Sequence, residues 1–182
     1  SVAVGCIDPL AVNYDSGANF NDSSQCEYYN GSLYVATENS SGFISNGSPE
    51  RPYTSVQEAL DVIANHNATV ILIQPGIYTE NINIIDLEKT CSIEGLTDNP
   101  NSVIIDGNAN GSVLTIDGGS ENITYSIVNL TLQNGLTNNK GAGINKSGQS
   151  NLDLINVHIL NNHVAGNSAF NYGAGISLSN GY

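Results

Sequence analysis

Basic residues are scarce in this chain. Lys and Arg together number 4 against 17 Asp and Glu, which leaves a formal net charge of −13. Nucleic acid and anionic membrane surfaces are recognised by basic patches, so neither is an expected partner. Long apolar runs are missing too. No stretch of about 18 apolar residues exists, so no membrane-spanning helix is expected. Cysteine is limited to 3 residues. Cys6 and Cys26 bracket a short segment, and a bridge between them implies an oxidising compartment, hence an extracellular or cell-surface location. Cys91 stands apart. It alternates with Ile93 in a strand pattern, which predicts an inward, inert thiol. Helical periodicity is nearly absent as well. The one clear case is a helix over residues 54–65, with Thr54 as N-cap, Gln57 three residues on, and an apolar stripe of Val56, Ala59, Leu60 and Ile63.

What the chain does have is strand pattern, some of it repeated. Val128-Asn129-Leu130-Thr131-Leu132-Gln133-Asn134 returns as Ile155-Asn156-Val157-His158-Ile159-Leu160-Asn161, 27 residues later. Apolar residues alternate at the same places in both copies, as in strands with one apolar face. Gly141-Ala142-Gly143-Ile144 returns as Gly173-Ala174-Gly175-Ile176, 32 residues later. Self-similarity at ~20 to 50 residues is the mark of stacked repeats that bury apolar faces on one another. Further strands are expected at Leu33–Ala36, Thr69–Gln74, Ile77–Ile84, Cys91–Glu94, Ser102–Asp106 and Val113–Ile116, with turn signals such as Asp106-Gly107-Asn108 and Asp117-Gly118-Gly119 between them. The fold class expected is all-β, a solenoid whose open first layer is covered by the helix.

Residues 1–30 read as a separate small module, with residues 31–182 as the β domain. A piece this small cannot build a core, so a disulfide must staple it. Asp8, Asp15 and Asp22 are the candidate ligands for Ca²⁺, since hard cations take several oxygens. Their other reading is Asx-turn acceptors. No other cofactor is expected. Gly5, Cys6, Asp8, Pro9, Ala11, Asn13 and Tyr14, followed by Ala18, Asp22, Ser24, Cys26 and Tyr28, resemble the short Cys-bracketed modules of secreted marine-bacterial proteins. Asn21 and Ser23 depart from that pattern, and Gln25 looks inserted.

A second resemblance spans residues 33–182. Tyr34-Val35, Pro52-Tyr53-Thr54-Ser55-Val56-Gln57-Glu58-Ala59-Leu60, Gln74-Pro75-Gly76-Ile77-Tyr78, Ile104-Ile105-Asp106-Gly107 and Gly141-Ala142-Gly143-Ile144 occur in that order. Together they resemble the right-handed parallel β-helix proteins of the pectate-lyase-like superfamily. That resemblance implies an N-terminal capping helix, three-sided layers and Asn ladders at the turns, with Asn129 over Asn156 and Asn134 over Asn161.

The superfamily includes enzymes that cleave acidic polysaccharides, so catalysis has to be weighed. The available bases are Arg51, Lys89, Lys140 and Lys146, all placed in or beside turns. Among carboxylates, Asp106 and Asp117 precede Gly and are explained by turn formation, while Asp153 is a lone charge beside a strand. His66, His158 and His163 lack ligand spacing. These residues point away from an enzyme. The expected function is structural: a secreted or cell-surface protein, part of a fibre or an adhesin. Carbohydrate binding or cleavage is the alternative, with a glycan as a possible partner, and a Ca²⁺-dependent adhesion module is a third reading. The segment Gly173–Tyr182 reads as an unfinished layer. It is expected to be covered by another copy head to tail, or by the rest of a longer chain.

Overall fold

The computed structural model describes residues 2–166 and 173–179. Its N-terminal segment holds two short parallel strands, β1 (Val4–Gly5) and β2 (Phe20–Asn21), and Cys6 is bonded to Cys26. Then come β3 (Leu33–Val35), the only α-helix among the described residues, α1 (Val56–Ile63), and a succession of strands: β4 (Val70–Ile73), β5 (Gly76–Thr79), β6 (Ile82–Ile85), β7 (Cys91–Gly95), β8 (Val103–Asp106) and β9 (Leu114–Asp117). The chain continues through β10 (Thr124–Gln133), β11 (Leu136–Thr137), β12 (Ile144–Lys146), β13 (Asn151–Leu160), β14 (His163–Val164) and β15 (Ile176–Leu178).

The fold is predominantly β, and every pairing between these strands is parallel. The strands divide among separate sheets. The largest runs β3-β4-β7-β10-β8-β5 with β13 on β10; another runs β15-β12-β9-β6; β1-β2 and β11-β14 form two-stranded pairs. The parallel β-helix expected from the resemblance is therefore not shown: the sheets are separate, and none is closed or solenoid-like. Echoed apolar patterns require parallel neighbours in register, and Val128 does pair with Ile155 and Ile144 with Ile176. Local register says nothing about whether neighbouring sheets join into one coil.

β10 is the junction of the largest sheet. Its first half, Tyr125–Val128, pairs with β7, and its second half, Thr131–Gln133, pairs with β8. Asn129 between them has φ 55°, and Asn156 in β13 repeats the bend at φ 52°. Asn tolerates this left-handed backbone better than branched residues do. Gly95 lies against the first bend, and a Cβ there would come within 2.2 Å of the Asn129 carbonyl oxygen.

The core consists of aliphatic side chains aligned across strands. Leu33, Ile71, Ile93, Ile127 and Leu154 follow one another in register. The first four are 0 to 2% exposed, whereas Leu154 is 37% exposed. A second row runs Ile82, Leu114, Ile144, Ile176 and ends likewise, with Ile176 at 38%. Among the described residues the core is thus sealed at the β3 end and partly exposed at the β13–β15 end.

The seal is α1, packed on β3, β4 and β6 with Val56, Ala59, Leu60 and Ile63 buried. Its start lies one residue beyond the expected Thr54 cap. Ser55 is the N-cap, and its side chain accepts from the Glu58 N–H. The Glu80 carboxylate accepts from the N–H of Val56 and of Gln57 and from the Ser55 hydroxyl. At the other end the Lys89 ammonium donates to the carbonyls of Ile63 and His66. An anion at the N-terminus and a cation at the C-terminus both suit the helix dipole. The single strand expected at Ile77–Ile84 is two, β5 and β6. The chain turns between them, where Glu80 N–H bonds to Asp106 and the Asn81 amide to Ser112.

Residues 2–30 dock on the loop that precedes α1. Arg51, only 7% exposed, donates to the carbonyls of Pro9 and Ala11, and the Asn46 amide donates to Leu10. His66 ties the same segment from the other side of α1. Its Nδ1 accepts from the Ala68 N–H, so its Nε2 carries the proton shared with the Tyr29 carbonyl.

Candidate functional site

Four strand ends align at one corner of the molecule. Thr79 of β5, Asp106 of β8, Gln133 of β10 and Leu160 of β13 are partners in register. The chain then turns through Asn134 and Asn161, with φ of 59° and 53°. An open groove of about 490 Å³ results, lined by Thr79, Asp106, Asn108, Asn134, Asn161 and His163 among others. Its carboxylate is fully engaged. Asp106 Oδ1 accepts from the Asn108 N–H at 2.8 Å; Oδ2 accepts from the Gln133 and Asn134 amides at 2.9 and 2.7 Å. Burial pushes its pKa up, but these three bonds outweigh burial and hold it below the usual carboxylate value. Asp106 ties strands together; it is not poised to take a proton.

The second feature is the exposed end of the described residues, at β13 and β15. β13 pairs with β10 along one edge, and among the described residues no strand pairs with its other edge. Ile155 is 54% exposed there, and Leu154, Leu160, Ile176 and Leu178 are exposed with it. Asp153 and His158 lie on this strand; His158 Nδ1 shares a proton with Asn101 Oδ1 at 3.0 Å. One cation is nearby on the interior side. Lys146 follows Ile84 and Ile116 in register, is buried, and donates to the Gly148 carbonyl, while burial lowers its pKa.

The Asn residues picked out by the resemblance take different partners. The Asn156 amide donates to Asn129 Oδ1 at 2.8 Å and to the Asp98 carbonyl. The Asn134 amide goes to Asp106 instead, and Asn161 lines the groove.

The three module carboxylates are each spent locally. Asp8 accepts from the Leu10 N–H and the Tyr28 hydroxyl, Asp15 from the Gly17 N–H, and Asp22 from Ser24 and Gln25. The bond from Tyr28 is the main reason the Asp8 pKa is lowered, and the Ser24 hydroxyl plays that part at Asp22. Among the described residues no three His, Cys, Asp or Glu side chains stand close enough to hold a metal ion. The structure therefore does not gather Asp8, Asp15 and Asp22 into a Ca²⁺ site. Asp117 accepts from the Ser147 hydroxyl. Cys91 is a buried free thiol whose pKa burial pushes up to about 11.

No known family, no curated protein and no solved structure matches the chain. No helix among the described residues is long and apolar enough to cross a membrane.

Sequence reasoning missed Glu80, Lys89 and Arg51 as structural ties. Each reaches a partner at least 23 residues away. Their rarity was the available signal for the cations. With 4 basic residues in the whole chain, a basic residue is more conspicuous than its local pattern suggests.

Proposed function

We propose that the protein is a structural component of an extracellular surface, and that it associates with a second copy of itself edge to edge through β13. The observation that carries this reading is the partly apolar outer edge of a ten-residue strand, which no strand among the described residues pairs with. Unpaired strand edges recruit other strands. The Cys6–Cys26 bond fits an oxidising, extracellular setting.

A second copy suits this edge in an antiparallel register centred on the bend at Ile155 and Asn156. Leu152 then faces Ile159 of the other copy, and Leu154 faces Val157, so apolar meets apolar. Asp153 faces His158, so the strand's only carboxylate meets a histidine and not another carboxylate. This self-complementary contact closes at two copies. The opposite end of the molecule favours like-to-like pairing over the head-to-tail stacking expected from the sequence. There, Gly47 and Tyr53 already bond the backbone of β3, and α1 covers the core.

The test is sedimentation at micromolar concentration. A dimer is expected, with Ile155→Lys monomeric and still folded because Ile155 is outside the core. A monomeric parent chain, or filaments that lengthen with concentration, would overturn the proposal.

A further inference from the structure

A second, smaller pocket of about 270 Å³ lies on the seam between the disulfide-bonded segment and the loop before α1. Val12 and Tyr14 form one wall; Ser41, Phe43, Glu50 and Arg51 form the other. We propose that this pocket binds a single neutral sugar ring. The inference is independent of pairing through β13.

Phe43 is the first reason. The residue is 55% exposed, on a loop whose hydrogen bonds hold it there. The Asn39 amide donates to the Phe43 carbonyl at 3.0 Å and to the Ser45 hydroxyl at 2.9 Å. Asn39 Oδ1 accepts from the N–H and hydroxyl of Ser41, and Ser41 Oγ accepts from the Phe43 N–H. The loop is thus held in place by its own hydrogen bonds, which removes the loop-ordering part of the entropy cost of binding. Tyr14 is fixed too. It bridges to Cys6 beside the disulfide and meets Phe43 edge to face, with ring centroids 6.3 Å apart. Two aromatic rings at an angle offer an apolar surface to the C–H face of a sugar ring.

The polar groups decide the ligand class. The Arg51 guanidinium sits 5.8 Å from the Phe43 ring centroid. It uses two nitrogens on Pro9 and Ala11, and a guanidinium has five N–H donors, so donors remain. Glu50 is an exposed carboxylate on the same rim, an acceptor for hydroxyl groups. Arginine beside the rings repels a cationic ligand. Glu50, and a chain of net charge −13, repel an anionic one. A neutral ligand with both donors and acceptors and one apolar face satisfies all three groups. The volume lies below the ~300 to 1,000 Å³ typical of sites for drug-sized ligands, which points to one ring.

Saturation-transfer NMR on the intact chain tests this with glucose, galactose, mannose, xylose and N-acetylglucosamine, and with glucuronate as the charged comparison. Transfer to the ring C–H protons of at least one neutral sugar is expected. It should weaken about tenfold in Phe43→Ala and in Glu50→Gln, and persist in Phe20→Ala, which removes another exposed phenylalanine. An unchanged melting temperature of Phe43→Ala shows that its loss of binding is not a loss of fold; if that variant melts early, the Glu50→Gln result decides. Silence from all five neutral sugars, binding that survives both pocket substitutions, or stronger binding of glucuronate would each overturn the assignment.

Discussion

The Glu80 carboxylate accepts the backbone N–H of Val56 at 2.9 Å and thereby closes the first turn of α1 from 24 residues away. Its second oxygen takes the Gln57 N–H at 3.0 Å, and Ser55 takes the Glu58 N–H. The first three N–H groups of an eight-residue helix are therefore all satisfied. Such a short helix does not stand alone in water, so its ends decide whether it stays folded over the core.

Glu80→Gln should consequently destabilise the protein. It keeps the shape but removes the charge and turns one acceptor into a donor facing another donor. Hydrogen bonds to charged groups contribute about 1.5 to 3 kcal/mol each, and the expected loss is of that order. Thermal unfolding measures it, with Glu121→Gln as the exposed control. Equal melting temperatures for the two variants would show that Glu80 is not a cap.

Strand positions and the parallel pairing of repeats were legible because alternation and register are local properties. Val128 and Ile155 face their neighbours in the same way, and that alone required them to be partners. The disulfide was legible because a piece as small as residues 1–30 cannot build a core of its own, so the two cysteines that bracket it must staple it. The ties made by Glu80, Arg51 and Lys89 were not, since a carboxylate or cation in a turn looks the same whether it meets water or a helix end. The β-helix failed for a related reason. An ordered series of short motifs resembles a family, but closure of sheets depends on how corners such as Asn129 join them.

Arg51 should hold the disulfide-bonded segment to the rest of the molecule. Arg51→Ala leaves the buried Ala11 carbonyl and the part-buried Pro9 carbonyl without this donor, a loss of about 1 to 3 kcal/mol. Faster hydrogen exchange is expected over residues 2–30, with protection of β7 and β10 unchanged. Uniform loss of protection across the chain would contradict this division.

Alkaline pH should weaken the fold through three buried groups. Burial pushes Cys91 from an ordinary value near 9.0 up to about 11, and Tyr78 and Tyr125 from 10.0 up to about 12. Below the ordinary values each is protonated whether folded or unfolded, and pH has no effect through it. Between the ordinary and folded values only the unfolded chain loses the proton, so stability falls as pH rises; above the folded value the fall stops. Urea unfolding between pH 8 and 11 should show this decline, at up to about 1.4 kcal/mol per pH unit for one such group. Cys91→Ala should flatten the part that begins near pH 9.0 and leave the tyrosine part beginning near 10.0. A profile identical to the parent's would remove Cys91 from the account.

The bend at Asn129 combines two contributions that substitution can separate. The backbone there is left-handed, at φ 55°, and the side-chain oxygen accepts from Asn156. Asn129→Ala loses both: a left-handed backbone costs an ordinary residue roughly 1 to 2 kcal/mol, and the Asn156 amide loses one of its two acceptors. Asn129→Gly avoids the backbone strain, because glycine adopts this backbone freely; it loses the hydrogen bond and carries glycine's smaller entropic cost. Asn138→Ala, in an exposed loop, should change almost nothing. The expected order of destabilisation in thermal melts is Asn129→Ala, then Asn129→Gly, then Asn138→Ala. Asn156 is exposed and retains Asp98, so the hydrogen-bond step should be the smaller of the two. If Asn129→Gly proves as damaging as Asn129→Ala, the bend is held by the amide pair and not by the backbone preference of Asn.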